Sequence, residues 1–420
     1  MQLKSFFILI MKFLKLFTLI YFFLYMLPFP LDEIPFVGDF IDYYNQAINF
    51  LSHWCGETII QLETLKEIEI TGSGDTTFDY VKIFTTFLIA LFFSVVFFAF
   101  TIKKSKIKNF EKVVFTYARY YLALYLLSYG FAKFYDGQFM FPSIDRLEQK
   151  IGDASPMGLL WTFMGYSKTY TVFGGICEVI GGILLFFRRT TLLGGLVSFM
   201  VMANIAVLNF SYDIPVKLFS IHLALISILI ISPNIINLFQ FFFLNKTIKL
   251  KIDQLQFQNK KLKNGRIVLK TFIILIFPTL GIIENLSFNR STQTYNLSGA
   301  YFTEEFIKNN DTISPFENNP SRWNKLLITD YYVKLIFDDN KILYYEPLVD
   351  TILNTITLSS YSDTSISYSF QYDTINEKKL RLFGKFKSDS ISATFKIKRL
   401  NEYELVKRNF HWINEYPFNR

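Results

Sequence analysis

The sequence predicts a helical, multi-pass membrane protein that carries an antiparallel all-β domain, a barrel or a sandwich, in its carboxy-terminal part. Three observations predict it. First, 51% of the residues are hydrophobic and mean hydropathy is +0.28, with 49 Phe among 420 residues; soluble domains rarely combine these. Second, apolar runs of about 20 residues, the length that crosses a bilayer, recur about seven times before residue 290. Third, after Leu297 apolar and polar residues alternate with the period of a half-buried strand. The net charge of +8 could suggest nucleic acid, but the Lys and Arg lie as flanks of apolar runs. The expected partner is therefore a lipid bilayer and not nucleic acid. Cys55 and Cys177 form neither a disulfide framework nor a metal-ligand spacing, so no metal site is expected.

Residues 1–30 read as an amino-terminal membrane helix with Lys12 and Lys15 at its cytoplasmic end; a cleaved signal peptide is the competing reading. Residues 31–79 are polar and acidic, an outer loop with an amphipathic helix around Phe40 to Leu65. Residues 80–102 span again, followed by Lys103, Lys104, Lys106, Lys108 and Lys112. A core of further spans covers 113–240 and includes an interfacial segment at 136–170, in which Pro156 to Tyr170 reads as an amphipathic helix with Trp161 at the boundary. Residues 241–267 are a basic loop, and 268–288 form a last span whose Pro278 predicts a kink. By the positive-inside rule, the basic stretches 103–112, 188–189 and 244–270 face the cytoplasm. The amino terminus is then cytoplasmic and residues 297–420 lie on the outer side, which in the expected location, a bacterial inner membrane, is the periplasm. In this last region Ile356 and Leu358, Ile366 to Tyr372, and Ile391 to Ile397 alternate with polar residues. Asp338-Asp339-Asn340 and Lys387-Ser388-Asp389-Ser390 mark turns between them.

Ionisable residues inside apolar spans are costly, by about 3 kcal/mol on insertion scales, and are usually retained for a reason. Glu178 sits in VFGGICEVIGGILLFFRR on one helical stripe with Gly174 and Gly182, and small residues at that spacing predict a helix–helix interface. Counting 1.5 Å per residue, Lys133, Glu178, Asn204, Asn209 and His222 fall in one layer, the outer third of the membrane. They are the candidate ligand-binding or proton-relay residues; no catalytic set is nominated. Glu178 paired with Lys133 or His222 would equally be a structural pair. Arg119 near the inner end of its span reads as a headgroup anchor. Asp213 and Lys217 in the outer turn, and His411 in RNFHWINEYPFNR, are secondary candidates.

Residues 113–240 resemble the DoxX family of four-helix membrane proteins. The resemblance rests on Arg119 and Lys133 in the first helix, GGICEVIGGILLFFRR in the second, and YDIPVKLFSIHLALISIL from Tyr212 to Leu229. Its most specific part is the Glu in a Gly-rich helix followed by a basic turn. It covers about a third of the chain and implies a DoxX-like four-helix core. The family name derives from a subunit linked to thiosulfate:quinone oxidoreduction, so the resemblance implies quinone as the cofactor to consider. This chain lacks a paired-thiol motif, which weighs against thiol chemistry. A weaker likeness, at the level of architecture, is to vitamin K-dependent carboxylase-type proteins.

Two functions follow as expectations. One is a subunit of a membrane oxidoreductase that binds quinone or another small apolar ligand at the polar cluster, with Phe139, Phe141, Trp161 and Phe163 around it. The other is a non-enzymatic scaffold or assembly factor whose periplasmic β-domain binds a membrane or periplasmic partner protein.

Overall fold

The computed structural model describes residues 2–29, 38–63, 65, 72–100, 104–135, 137–250, 297–329, 331–361, 363, 366–408 and 410–419, and between 261 and 283 the positions 261, 264, 265, 267, 268, 270–272, 274–276, 279 and 283. The expectations for Pro278, for residues 284–288 and for residues 251–260 of the basic loop lie outside the described residues. The chain divides into two units, Met1–Phe139 with Ser167–Ile283, and Met140–Tyr166 with Glu284–Arg420.

The first unit is helical: α1 (Gln2–Met26), α2 (Gly38–Trp54), α3 (Thr77–Ala99) and α4 (Lys104–Phe134), then α7 (Lys168–Phe186), α8 (Thr191–Ser211), α9 (Lys217–Ile231) and α10 (Ile235–Leu244), with α5 (Ile144–Glu148) and α6 (Pro156–Tyr166) belonging to the second unit. Among the described residues, five stretches are long and apolar enough to cross a membrane: Phe6–Met26, Thr77–Ala99, Lys168–Phe186, Thr191–Ser211 and Lys217–Leu244. The last is interrupted by a 3-10 turn at Ser232–Asn234, where Pro233 has no N–H to continue the ladder. Helix α3 starts on a capping box, Thr76 and Asp79 each accepting the other's backbone N–H, at 3.2 and 2.9 Å.

Helix α4, 31 residues long, is less apolar than these five yet supplies much of the core. Val114, Ala118, Tyr121, Leu122, Ala123, Leu126 and Leu127 are all buried, and the helix packs against α1, α7 and α9. Its charged residues need partners that lipid cannot offer, so burial between neighbours is where a helix of this composition is stable. Lys15 of α1 reaches Glu111 of α4 at 2.7 Å.

The bundle's tightest approach joins α4 to α7. A Cβ on Gly130 would meet Val179 Cγ2 at 2.7 Å and the Gly175 carbonyl at 2.9 Å, and one on Gly182 would meet the Ala123 carbonyl at 2.9 Å. The interface stripe is therefore Gly175, Glu178 and Gly182. Gly174, placed on that stripe by the sequence, has nothing within 4 Å of its Cβ position. Four residues turn an α-helix by 400°, so a strict four-residue stripe drifts, whereas steps of three then four hold one face.

The second unit is a closed antiparallel barrel. Strands β1 (Gly299–Lys308), β3 (Trp323–Ile328), β4 (Val333–Phe337), β5 (Ile342–Asp350), β6 (Thr355–Ser360), β7 (Ser367–Asn376), β8 (Lys379–Phe386) and β9 (Asp389–Lys398) pair in that order, and β9 returns to β1 through Tyr301↔Ile397. The two-residue strand β2 (Asp311–Thr312) only extends the edge of β1. Both predicted turns are present, and Asn340 and Lys387 there take positive φ (64° and 59°), as tight hairpins require. The inward residues fill the interior: Tyr301, Phe306, Trp323, Phe370 and Phe395 are almost fully buried, with Ile391, Ala393, Ile397, Ile356 and Leu358 from the predicted alternations. An eight-stranded barrel is just wide enough for side chains to fill, and here large aromatics do so. Arg322 and Asp338, both buried, pair at 3.0 Å where β3 begins and β4 ends.

The segment Met140–Tyr166, expected at the membrane interface, belongs to the barrel's unit. Ile144 is buried against Ala300 and Leu327 on the outside of the barrel wall. Around it Asp145 takes Lys334 at 2.7 Å and the Tyr332 hydroxyl at 2.9 Å. Glu148 takes Lys325 at 2.6 Å, the Tyr403 hydroxyl at 2.8 Å and Lys398 at 3.3 Å. Burial pushes the Glu148 carboxyl up, but the hydrogen bonds from Lys325 and Tyr403 and the charges of Lys325 and Lys398 outweigh it, so it lies below the ordinary Glu range. A lowered carboxylate stabilises the folded state above its unfolded pKa, and that contribution disappears as pH falls through the folded value. Glu148→Gln should therefore destabilise the barrel unit by about 1–3 kcal/mol at neutral pH. In urea titrations followed by tryptophan fluorescence, its deficit against wild type should shrink as pH drops below the Glu range. A deficit that persists unchanged in acid would remove the carboxylate from the docking contact.

Candidate functional site

The polar residues that the sequence places in one layer separate into distinct groups, and only one pair of them meets. Lys133, near the end of α4, donates to both carboxylate oxygens of Glu178 on α7, at 3.0 and 2.9 Å, and approaches the Tyr129 carbonyl at 3.4 Å. The two side chains are 8% and 2% exposed. The Lys133 ammonium also lies 5.9 Å from the Phe139 ring centroid. Gly130 and Gly175 bring the two backbones close enough for this short, two-pronged contact. Burying two charges is expensive and is offset only when geometry is good and the remaining donors are met. Here both conditions hold, and the partner of Glu178 is Lys133 and not His222.

His222 is engaged elsewhere. Its Nδ1 lies 2.6 Å from the Leu218 carbonyl, which can only accept, so Nδ1 carries the proton. In the neutral ring Nε2 is then an acceptor, and the Tyr21 hydroxyl donates to it at 2.7 Å. Tyr25 stacks on the imidazole with centroids 4.0 Å apart and planes 11° from parallel. Both tyrosines belong to α1, outside the stretch 113–240.

Near Tyr25, α4 carries a column of phenol rings. Tyr117, Tyr121, Tyr125 and Tyr129 follow one another every four residues, ahead of Lys133 at the same step. Successive centroids are 6.4, 4.8 and 6.5 Å apart. The Tyr117 hydroxyl donates to the Met26 carbonyl at 2.7 Å and also meets the Phe29 carbonyl. Sequence reasoning missed Tyr21, Tyr25 and this column, although the repeat of Tyr at every fourth position of α4 was a readable signal.

The other candidates serve the frame. Asn209 is buried and its amide reaches the Val216 carbonyl at 3.4 Å, while Asn204 is exposed on α8. Asp213 and Lys217 pair at 2.8 Å, one turn apart. A further residue, Asp75 in the loop before α3, accepts from the backbone N–H groups of Lys217 and Leu218 at 2.7 and 2.9 Å, satisfying free donors at the start of α9. Arg119, expected as a headgroup anchor, is 2% exposed, with its guanidinium 3.4 Å from Thr191 Oγ1 and over the Tyr120 ring. His411 is exposed, and Cys55 and Cys177 are free thiols, buried and half-buried.

No family model and no solved structure matches the chain. Over 101 residues, 24% of its length, the chain is 35% identical to YwoB, an uncharacterised protein of Bacillus subtilis. The match spans 62% of that relative's length.

Removing one partner of a buried ion pair leaves an uncompensated charge and typically costs about 3–5 kcal/mol. Glu178→Gln should lower the stability of the bundle by about 3 kcal/mol or more, and Lys133→Met with Glu178→Leu should recover most of it. Melting of the single and double variants in detergent checks this; a double variant as unstable as the single one would contradict the pairing.

Proposed function

We propose that the chain is a bacterial inner-membrane scaffold, with its amino terminus cytoplasmic and its barrel on the periplasmic side, where it binds a partner protein. The observation that carries this reading is the Lys133–Glu178 pair, closed on itself between glycines with its two side chains only 8% and 2% exposed. A carboxylate poised for proton relay would open onto solvent or a cavity, whereas both oxygens of this one take the Lys133 ammonium in a buried contact that holds α7 to α4. The filled interior of the barrel directs recognition to its outer surface. After the last strand, the stretch 410–416 carries Phe410, Trp412, Ile413 and Tyr416 at 77–91% exposure. Aromatic residues of this kind dominate the energetics of protein interfaces.

The orientation rests on loop charge: the basic stretches 103–112, 188–189 and 244–270 flank apolar runs and are taken as cytoplasmic. A phosphatase or fluorescent fusion after Lys246 should report cytoplasm, and one after Arg420 periplasm. A cytoplasmic signal from the full-length fusion would overturn the orientation.

The DoxX-like redox reading is favoured by one observation, the phenol column of α4 that runs near Tyr25 of the Tyr21–His222–Tyr25 group. The scaffold reading expects only substoichiometric quinone in an organic extract of the detergent-purified chain. It also expects His222→Gln to leave cellular function intact wherever the protein still folds. Stoichiometric quinone, lost in His222→Gln while the protein stays folded, would move the function to a quinone-binding subunit.

A further inference from the structure

A second cluster of charge, outside the candidate site, surrounds the turn between α7 and α8. Arg188 and Arg189 occupy the turn itself. Lys270, from the helical positions beyond residue 261, donates to the Phe186 carbonyl and holds its ammonium 5.5 Å from the Tyr120 ring and 5.9 Å from the Phe187 ring. The Arg119 guanidinium lies 4.7 Å from the same Tyr120 ring. Thr190 and Thr191 bond back to the carbonyls of α7, fixing the turn. Between the turn and the residues around Lys270 is a groove of about 290 Å³. Arg188, Arg189 and Lys270 form its charged part, and Phe187, Ile267 and Ile274 its apolar part; none of the described residues lining it is acidic.

These features belong together chemically. A cationic rim beside an apolar wall, at the end of a helix long enough to cross a bilayer, matches a molecule with an anionic phosphate at one end and hydrocarbon at the other. Arg supplies a planar fork that can take two phosphate oxygens at once, and Lys a point charge. The amino end of α8, which begins at Thr191, adds a positive end of a helix dipole to the same turn. Basic pockets between membrane helices on the cytoplasmic side hold anionic headgroups by this combination.

We propose that the groove lined by Phe187, Arg188, Arg189, Ile267, Lys270, Thr271 and Ile274 is a binding site for one anionic phospholipid, its phosphate held by Arg188, Arg189 and Lys270 and its first methylenes by Phe187, Ile267 and Ile274. The proposal rests on the reading that the bundle spans a membrane with this turn at the inner face. The bound lipid bridges α7 to the residues around Lys270, so lipid composition sets how firmly the two are held together.

The test uses the full chain in mild detergent, with phosphatidylglycerol or phosphatidylcholine of identical acyl chains, read by native mass spectrometry and by thermal melting. Wild type should retain phosphatidylglycerol selectively and melt higher with it. Each cation removed should reduce that selectivity roughly fivefold, so Arg188→Gln with Arg189→Gln should lose roughly 25-fold. Should that variant fail to fold, Thr271→Trp, at an exposed position lining the groove, should block retention with all three cations in place. Equal retention of the two lipids, or full selective retention by a folded groove variant, would overturn the site while leaving the membrane reading intact. Inorganic phosphate that raises the melting temperature as far as phosphatidylglycerol does would also overturn it, by showing that the hydrocarbon part is not recognised.

Discussion

The helical unit depends on the burial of one opposite-charge pair between two helices that approach at glycine distance. Glu178 alone on α7 would be held in a low-dielectric interior without compensation, and so would Lys133 on α4. Together, at 2.9–3.0 Å, each supplies what the other lacks. The contact exists because Gly130, Gly175 and Gly182 have no Cβ to keep the backbones apart. This explains how α4, less apolar than its neighbours, occupies the centre of the unit. Most of the charges that lower its hydropathy lie in its first turns; the two that are buried, Arg119 and Lys133, are the ones that require internal partners.

Around that pair several other polar groups find partners locally. His222 is engaged by a backbone carbonyl and a tyrosine hydroxyl, and Asp75 covers the free amides of α9. Such contacts favour one arrangement of helices over its alternatives, because a slip leaves these groups unpaired. The barrel reaches the same end by different means. Its core is a close packing of aromatic and branched side chains, and its polar pairs, Arg322 with Asp338 and Glu148 with three partners, lie at the rim and on the outer wall.

The segment Met140–Tyr166 shows what composition leaves open. Trp161 suits a membrane interface, but the residues that tie the segment to the barrel are Ile144, Asp145 and Glu148, and the polar contacts that Asp145 and Glu148 make with the barrel span between 177 and 255 positions of the chain. No local pattern announces contacts of that separation.

What the sequence determined by itself is the class of each part. Runs of about 20 apolar residues and alternation of period two are local consequences of helix and strand geometry, so the apolar helices, the late antiparallel sheet and its turns at Asn340 and Lys387 were legible. The costliness of a charge among apolar residues made Glu178 and Lys133 legible as well. The tertiary structure decided which polar groups meet. It joined Glu178 to Lys133, gave His222 to Tyr21 and Tyr25, and exposed Asn204. It also closed the sheet into a barrel, since pairing of β9 with β1 is a property of cumulative twist and not of either strand. Periodicity specifies the face on which a residue lies, but the partner across that face is chosen by helix rotation and by small residues such as Gly175, one position away from the stripe that simple counting selects.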